Sequence, residues 1–119
     1  MGSNPAVPTI RLKETVVFYL VYTTVPDEKS GEKIAKHLLN NKLIACANLT
    51  PASKSFYVWE GNLKNETEHL LFLKTTPDKM KTVEEEISKV HPYECPCILS
   101  WKSIQVHPPF LEWAIQSMA

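Results

Sequence analysis

An α+β domain, with an antiparallel sheet and both main helices on one face, is predicted by three observations on this 119-residue chain. The same strand–turn–helix junction occurs twice. Each helical stretch feeds a further apolar run. Between the two units lies an extended hairpin whose arms exceed the usual strand of about 5–6 residues. Two βαβ units sharing one sheet give the order β-α-β-β-α-β, the ferredoxin-like split arrangement, here with a long hairpin between its second and third strands.

The elements follow in order. Residues 1–14 are expected to form a flexible arm, in which Met1-Gly2-Ser3 reads as a cloning remnant, and residues 15–119 a single domain. Thr15 to Tyr22 is the first strand, closing on Thr23-Thr24 and Pro26-Asp27. Leu70 to Leu73 runs through Lys74 into Thr75-Thr76 and Pro77-Asp78, the same junction again. Proline suits the first helical position, threonine caps from just before it, and aspartate favours the positive end of the helix dipole. The helices are expected over about Asp27–Asn41 and Asp78–Val90. Ile34, Ala35, Leu38 and Leu39 share one face of the first, and Met80, Val83, Ile87 and Val90 one face of the second. Leu43–Leu49 and Pro96–Ile104 are the strands that follow them. Ile44–Trp59 and Leu63–Thr75 are the hairpin arms, with Pro51 as a break and Glu60-Gly61-Asn62 as the turn. Phe56, Tyr57, Val58 and Trp59 make the far end too apolar for a tip in water, so a partner subunit is expected to cover it. Pro108-Pro109 opens a short C-terminal helix that caps the open sheet face or reaches a neighbour.

Composition excludes several classes. Thirteen basic and thirteen acidic side chains cancel, leaving no surplus to neutralise phosphates, so nucleic acid is not an expected partner. No apolar run approaches the roughly 20 residues of a membrane span. Three cysteines, an odd number, and the lack of a secretory leader fit a reducing compartment, and the expected location is cytoplasmic. Three glycines offer no phosphate loop, and no nucleophile is specified together with a base and an orienting group, so no enzyme is expected.

The chemistry concentrates in Val90-His91-Pro92-Tyr93-Glu94-Cys95-Pro96-Cys97. An imidazole, a phenol, a carboxylate and two thiols occupy the seven residues 91–97, stiffened by two prolines. Together with Tyr22-Thr23-Thr24 and Pro26-Asp27, Leu43-Ile44-Ala45-Cys46-Ala47-Asn48, and Tyr57-Val58-Trp59-Glu60-Gly61, this segment resembles the CutA family of divalent-cation tolerance proteins. Lys74-Thr75 and Phe110-Leu111-Glu112-Trp113 add to a match running from about Val16 to Trp113. The resemblance implies a ferredoxin-like protomer in a homotrimer, an inter-subunit cleft near His91, copper binding and a link to metal tolerance. It also implies likeness to PII signalling trimers, which bind small effectors between subunits. The chain departs from the family pattern at Cys95 and Cys97, which stand for a hydrophobe and often an acid. It departs again at Trp101, near which many relatives have a proline, and at Gln105-Val106-His107, which replaces a Gly-Asn turn.

The expected metal ligands are His91, Glu94 and Cys95, with Cys46 as a further sulfur, for copper or another divalent ion. Thiolate and imidazole suit copper and zinc. The competing readings make His91 a cap or hydrogen-bond partner, and Cys46 and Cys97 small core residues. Lys74, Tyr93, Trp59 and Asn48 are expected to line the cleft. There Lys74 would hold an anion with free helix N–H groups, or simply end a strand in solvent, and the aromatics would serve equally as packing anchors. His37, His69 and His107 are expected at the surface or at a helix entry. The leading function is metal binding by a non-enzymatic trimer. The alternatives are a PII-like module binding a small anion through Lys74, His91 and Tyr93, and a trimeric scaffold for protein partners.

Overall fold

The computed structural model describes residues 18–103 and 105–119. The elements are β1 (Tyr19–Val25), α1 (Glu28–Asn40), β2 (Cys46–Leu49), β3 (Ser53–Trp59), β4 (Asn62–Thr75), α2 (Pro77–Val90), β5 (Ile98–Lys102) and α3 (Pro108–Ser117). All pairings are antiparallel: β1 lies between β5 and β4, while β2 and β3 follow one another along β4. This is the expected ferredoxin-like sheet with its second strand cut in two. Thr50 ends the first piece, exchanging bonds with Leu70 through its backbone N–H and its hydroxyl. Pro51, lacking an N–H, then interrupts the ladder.

The two helix junctions differ more than their sequences suggest. In the first, Thr23, Thr24 and Val25 stay in the strand and Asp27 is the N-cap, its Oδ1 accepting from the Ser30 backbone N–H at 2.7 Å. Hydrogen bonding from the Ser30 backbone, and then from its side chain, holds the Asp27 carboxyl below its ordinary value. In the second, Thr76 is the N-cap and Pro77 begins the helix. The first strand thus ends three residues later than expected, because β1 stays paired with β4 as far as Val25 opposite His69. Its expected start at residues 15–17, like the arm over 1–14, lies outside the described residues.

Alternation places the core. Val21, Thr23 and Val25 of β1 and Leu71, Leu73 and Thr75 of β4 point to one side and are buried there. Ile34 and Leu38 of α1 and Val83 and Ile87 of α2 close over them. Gly31 lets α1 come close, since a Cβ there would lie 2.6 Å from Leu49 Cδ1. The end of α1 is closed by bonds from Lys42 N to Leu39 O and Leu43 N to Leu38 O, with Lys42 left-handed at φ 57°. That closure consumes Leu43, so β2 starts three residues later than expected. The helix α3 builds a second cluster from Leu111, Ala114 and Met118 against Phe18 and Ala45. Lys79 Nζ pins it by donating to the carbonyls of Met118 and Lys42. Its proline entry and apolar face are as the sequence predicts.

Beyond the core, β3 and the first half of β4 continue alone as an arm, giving extents of 58 × 26 × 23 Å. Trp59 pairs with Asn62, so the turn is the two residues Glu60 and Gly61, at φ 51° and 79°. Both φ values are positive, matching the right-handed strand twist in a two-residue hairpin. Phe56, Val58, Trp59 and Leu63 are all more than 60% exposed along this arm.

Candidate functional site at the end of the second helix

The site begins where α2 stops. His91 caps the helix, its backbone N–H donating to Ile87 O at 2.8 Å, and its side chain is buried. Nε2 lies 2.8 Å from the Thr24 carbonyl oxygen, and Nδ1 accepts from the Tyr93 backbone N–H at 3.0 Å. These partners specify the neutral tautomer with its proton on Nε2. Burial lowers the His91 pKa, against the opposing pull of the Thr24 carbonyl and the Glu68 charge. The Tyr93 ring lies 4.9 Å from the imidazole, and its hydroxyl donates to Glu68 Oε2 at 2.9 Å. Burial, followed by that carboxylate, pushes the Tyr93 phenol up to about 12. The end of β1, the middle of β4 and the loop after α2 are thereby tied at one point.

Tyr22 lies beside this network. Burial raises its pKa, and the Cys97 thiol and the Glu68 carboxylate add to the rise. Glu94, Cys95 and Cys97 are exposed, with Pro96 half-buried between the cysteines.

The remaining expected site residues do not converge here within one protomer. Thr24 pairs with Leu70 and Cys46 with Lys74, so Cys46 sits four residues along β4 from the level of His91's partner, a separation of about 13 Å. Lys74 donates to Asn48 Oδ1 at 3.1 Å, with Phe110 beyond it. Because Leu73 and Thr75 face the core helices, Lys74 faces away from them and from the α2 N-terminus. The expected pairing of Lys74 with helix N–H groups is therefore replaced by an amide contact. Trp59 is at the arm tip, opposite Asn62. The expected cleft set thus divides into Lys74 with Asn48, Tyr93 with Glu68, and Trp59 alone. Register is the reason: residues close to one another in a motif list lie on separate levels of a long strand.

Glu68 and the Thr24 carbonyl were missed from sequence. A glutamate in the polar run Glu66-Thr67-Glu68-His69 looks like an ordinary solvated strand residue. Only pairing brings it under Tyr93. The other histidines are partnered or exposed: His37 bridges α1 to Glu86 of α2 at 2.8 Å, His69 contacts Thr50 O at 3.0 Å, and His107 is the exposed N-cap residue of α3. Among the described residues, no three His, Cys, Asp or Glu side chains gather as a metal group in one protomer.

A family model described as CutA1 divalent ion tolerance protein matches residues 19–117. The chain belongs to the CutA1 family. A divalent-cation tolerance protein CutA from Pyrococcus horikoshii is 41% identical over 97 residues, covering 82% of this chain and 94% of the relative. A chloroplastic CutA from Arabidopsis thaliana is 33% identical over 108 residues, covering 88% of this chain, which spans 59% of that relative. The crystal structure of the divalent ion tolerance protein CutA1 from Ehrlichia chaffeensis superposes with a TM-score of 0.84 at 37% identity, covering 86% of this chain and 95% of that one. No described helix of this CutA1-family chain is long and apolar enough to cross a membrane.

Proposed function

We propose that this CutA1-family chain is a non-enzymatic, homotrimeric metal-binding protein that takes up divalent ions, copper foremost, and contributes to divalent-cation tolerance. The observation that carries this reading is the loop after α2. His91 is fixed by hydrogen bonds on both ring nitrogens, while Glu94 and Cys95 stay exposed on the loop that it anchors. In the folded protomer His91 is a positioning residue; it becomes a ligand only by giving up Thr24 or Tyr93. Glu94 and Cys95 supply a carboxylate and a sulfur, a pair suited to borderline ions. Ligands from a second protomer complete the coordination, and Cys46 serves only from such a neighbour. The apolar arm supports the trimer, since Phe56, Val58, Trp59 and Leu63 lack cover within the protomer. The bonding of His91 also supports a non-enzymatic role: with both nitrogens committed, it is no base for a thiol nucleophile. Three free cysteines suit a reducing location, here the cytoplasm, although the Arabidopsis relative is named chloroplastic.

The test is a calorimetric titration of the reduced protein with copper and with zinc, alongside the mass of the assembly, for the native chain, Glu94→Gln and His91→Ala. The expected result is one tight ion per chain in a trimer, with binding weakened in both variants. Weak uptake at many sites, equal in all three proteins, would overturn the reading.

A further inference from the structure

We infer that α3 is a strap that opens separately from the core, that Lys79 is its latch, and that its opening bares the corner of the sheet around Lys74. Lys79 lies in the first turn of α2, yet its ammonium serves the far ends of the other two helices. Nζ donates to the Lys42 carbonyl at 2.7 Å and to the Met118 carbonyl at 2.9 Å. Lys42 is the left-handed residue that closes the end of α1, and Met118 is the C-cap of α3. Backbone dipoles leave partial negative charge on the carbonyls at a helix C-terminus, so one cation compensates two helix ends at once.

The three helices differ in how much of this compensation they carry themselves. Asp27 caps α1, with Glu28 in its first turn and His37 in its last. Asp78 opens α2 and Lys89 closes it. In α3 the N-cap His107 makes no side-chain capping bond, the first turn holds no acid and the last turn no base. Its ten residues are also too few for a helix that holds alone in water. The order of α3 therefore comes from docking, and its C-terminal charge is met from outside, by Lys79.

The docked face is small. Leu111, Ala114 and Met118 pack on Phe18 and Ala45 in a cluster of their own, apart from the main core under α1 and α2. Among the described residues, the one hydrogen bond that joins residues 105–119 to the rest of the chain runs from Lys79 to Met118. A small satellite cluster with a single polar tie is the kind of unit that opens locally, while the core stays closed. What α3 covers is the place where Ala45 N donates to Lys74 O and the Phe110 ring lies 6.0 Å from the Lys74 ammonium. Opening removes Phe110 from Lys74 and leaves its ammonium held by Asn48 alone.

The inference uses none of the proposed metal ligands and stands or falls apart from the proposed function. The experiment is hydrogen–deuterium exchange read by mass spectrometry on the full native chain, Lys79→Met and Lys79→Arg. Methionine keeps the apolar stem and removes the charge and its donors, whereas arginine keeps both. Exchange over 108–118 is expected to be about tenfold faster in Lys79→Met, the loss of one charge-assisted bond, and close to native in Lys79→Arg. Exchange over 71–75 of β4 and 83–90 of α2 is expected to stay native in both. On the same samples, the rate at which an amine-acylating reagent modifies Lys74 is expected to rise with α3 exchange. Unchanged α3 exchange in Lys79→Met, or a rise shared equally by β4 and α2, overturns the strap. A Lys79→Arg chain as fast as Lys79→Met overturns the latch, and a constant Lys74 rate while α3 opens overturns the covered corner.

Discussion

The fourteen residues of β4 pass through two environments. From Leu71 to Thr75 every second side chain is buried under α1 and α2, whereas Asn62 to Thr67 is exposed on both faces. The same backbone ladder runs through both halves, so hydrogen bonding does not separate them. What differs is the second layer: one half has helices over it and the other has only β3 beside it. A sheet without a layer buries little apolar surface, and a lone two-stranded ribbon is at best marginally stable in water. The arm nonetheless carries Phe56, Val58, Trp59 and Leu63. The helix-covered face of the core half is closed within one protomer, and the apolar side chains of the arm lack cover there.

The strongest way to break this comparison is to charge the arm. Trp59→Glu with Leu63→Lys is expected to convert the assembly to monomer, read by light scattering, while far-ultraviolet circular dichroism stays native. A native chain that is already monomeric, or a variant that stays assembled, would remove the distinction between the halves. Next is the core half. Leu73→Ala deletes a fully buried side chain and is expected to cost about 2–5 kcal/mol in denaturant unfolding. Phe56→Ala on the arm should cost far less in a protomer prevented from assembling.

His91 sharpens the contrast because it joins the core to the loop. Replacing it by alanine leaves the half-buried Thr24 carbonyl without its donor and is expected to cost about 1–3 kcal/mol. The pH dependence follows from burial. The folded His91 pKa lies below the ordinary value, so between the two values the unfolded chain binds the extra proton. Stability is therefore level above about 6.5 and falls as pH drops from there toward the folded value. Tyr93 acts at the other limb: its pKa rises from 10.0 to about 12, so its contribution is present below 10 and is lost as pH rises through that window. Denaturation midpoints against pH should show both slopes, the acid one missing in His91→Ala and the alkaline one reduced in Tyr93→Phe. The smallest effect is expected at Lys42, where glycine would relieve the left-handed backbone and raise stability by about 0.5–1 kcal/mol, within reach of a melting curve.

Much of the fold was legible because its signals are local. Ile34 with Leu38, and Val83 with Ile87, mark amphipathic helices, and Pro77 and Pro108 sit at helix starts where their missing N–H does no harm. The site was legible only as a segment. His91 and Tyr93 were named, but His91 bonds to a backbone carbonyl 67 residues away, and Tyr93 to a glutamate with no motif around it. A carbonyl has no letter in a sequence. The expected grouping of Cys46 and Trp59 with this loop fails within the protomer for the same reason, since strand register sets which residues share a level.

By itself the sequence determined the element order, the helix-facing alternation, the hairpin turn at Gly61 and the concentration of ligating groups between His91 and Cys97. These follow from side-chain periodicity and from residues whose backbone limits are intrinsic. Only the tertiary structure decided that Thr23 and Thr24 belong to β1, that Asp27 and Thr76 play different capping roles, that Lys74 turns to Asn48, and that His91 is locked by Thr24 and Tyr93. Each of those depends on which strand residue lies opposite which, a long-range pairing that no local pattern encodes.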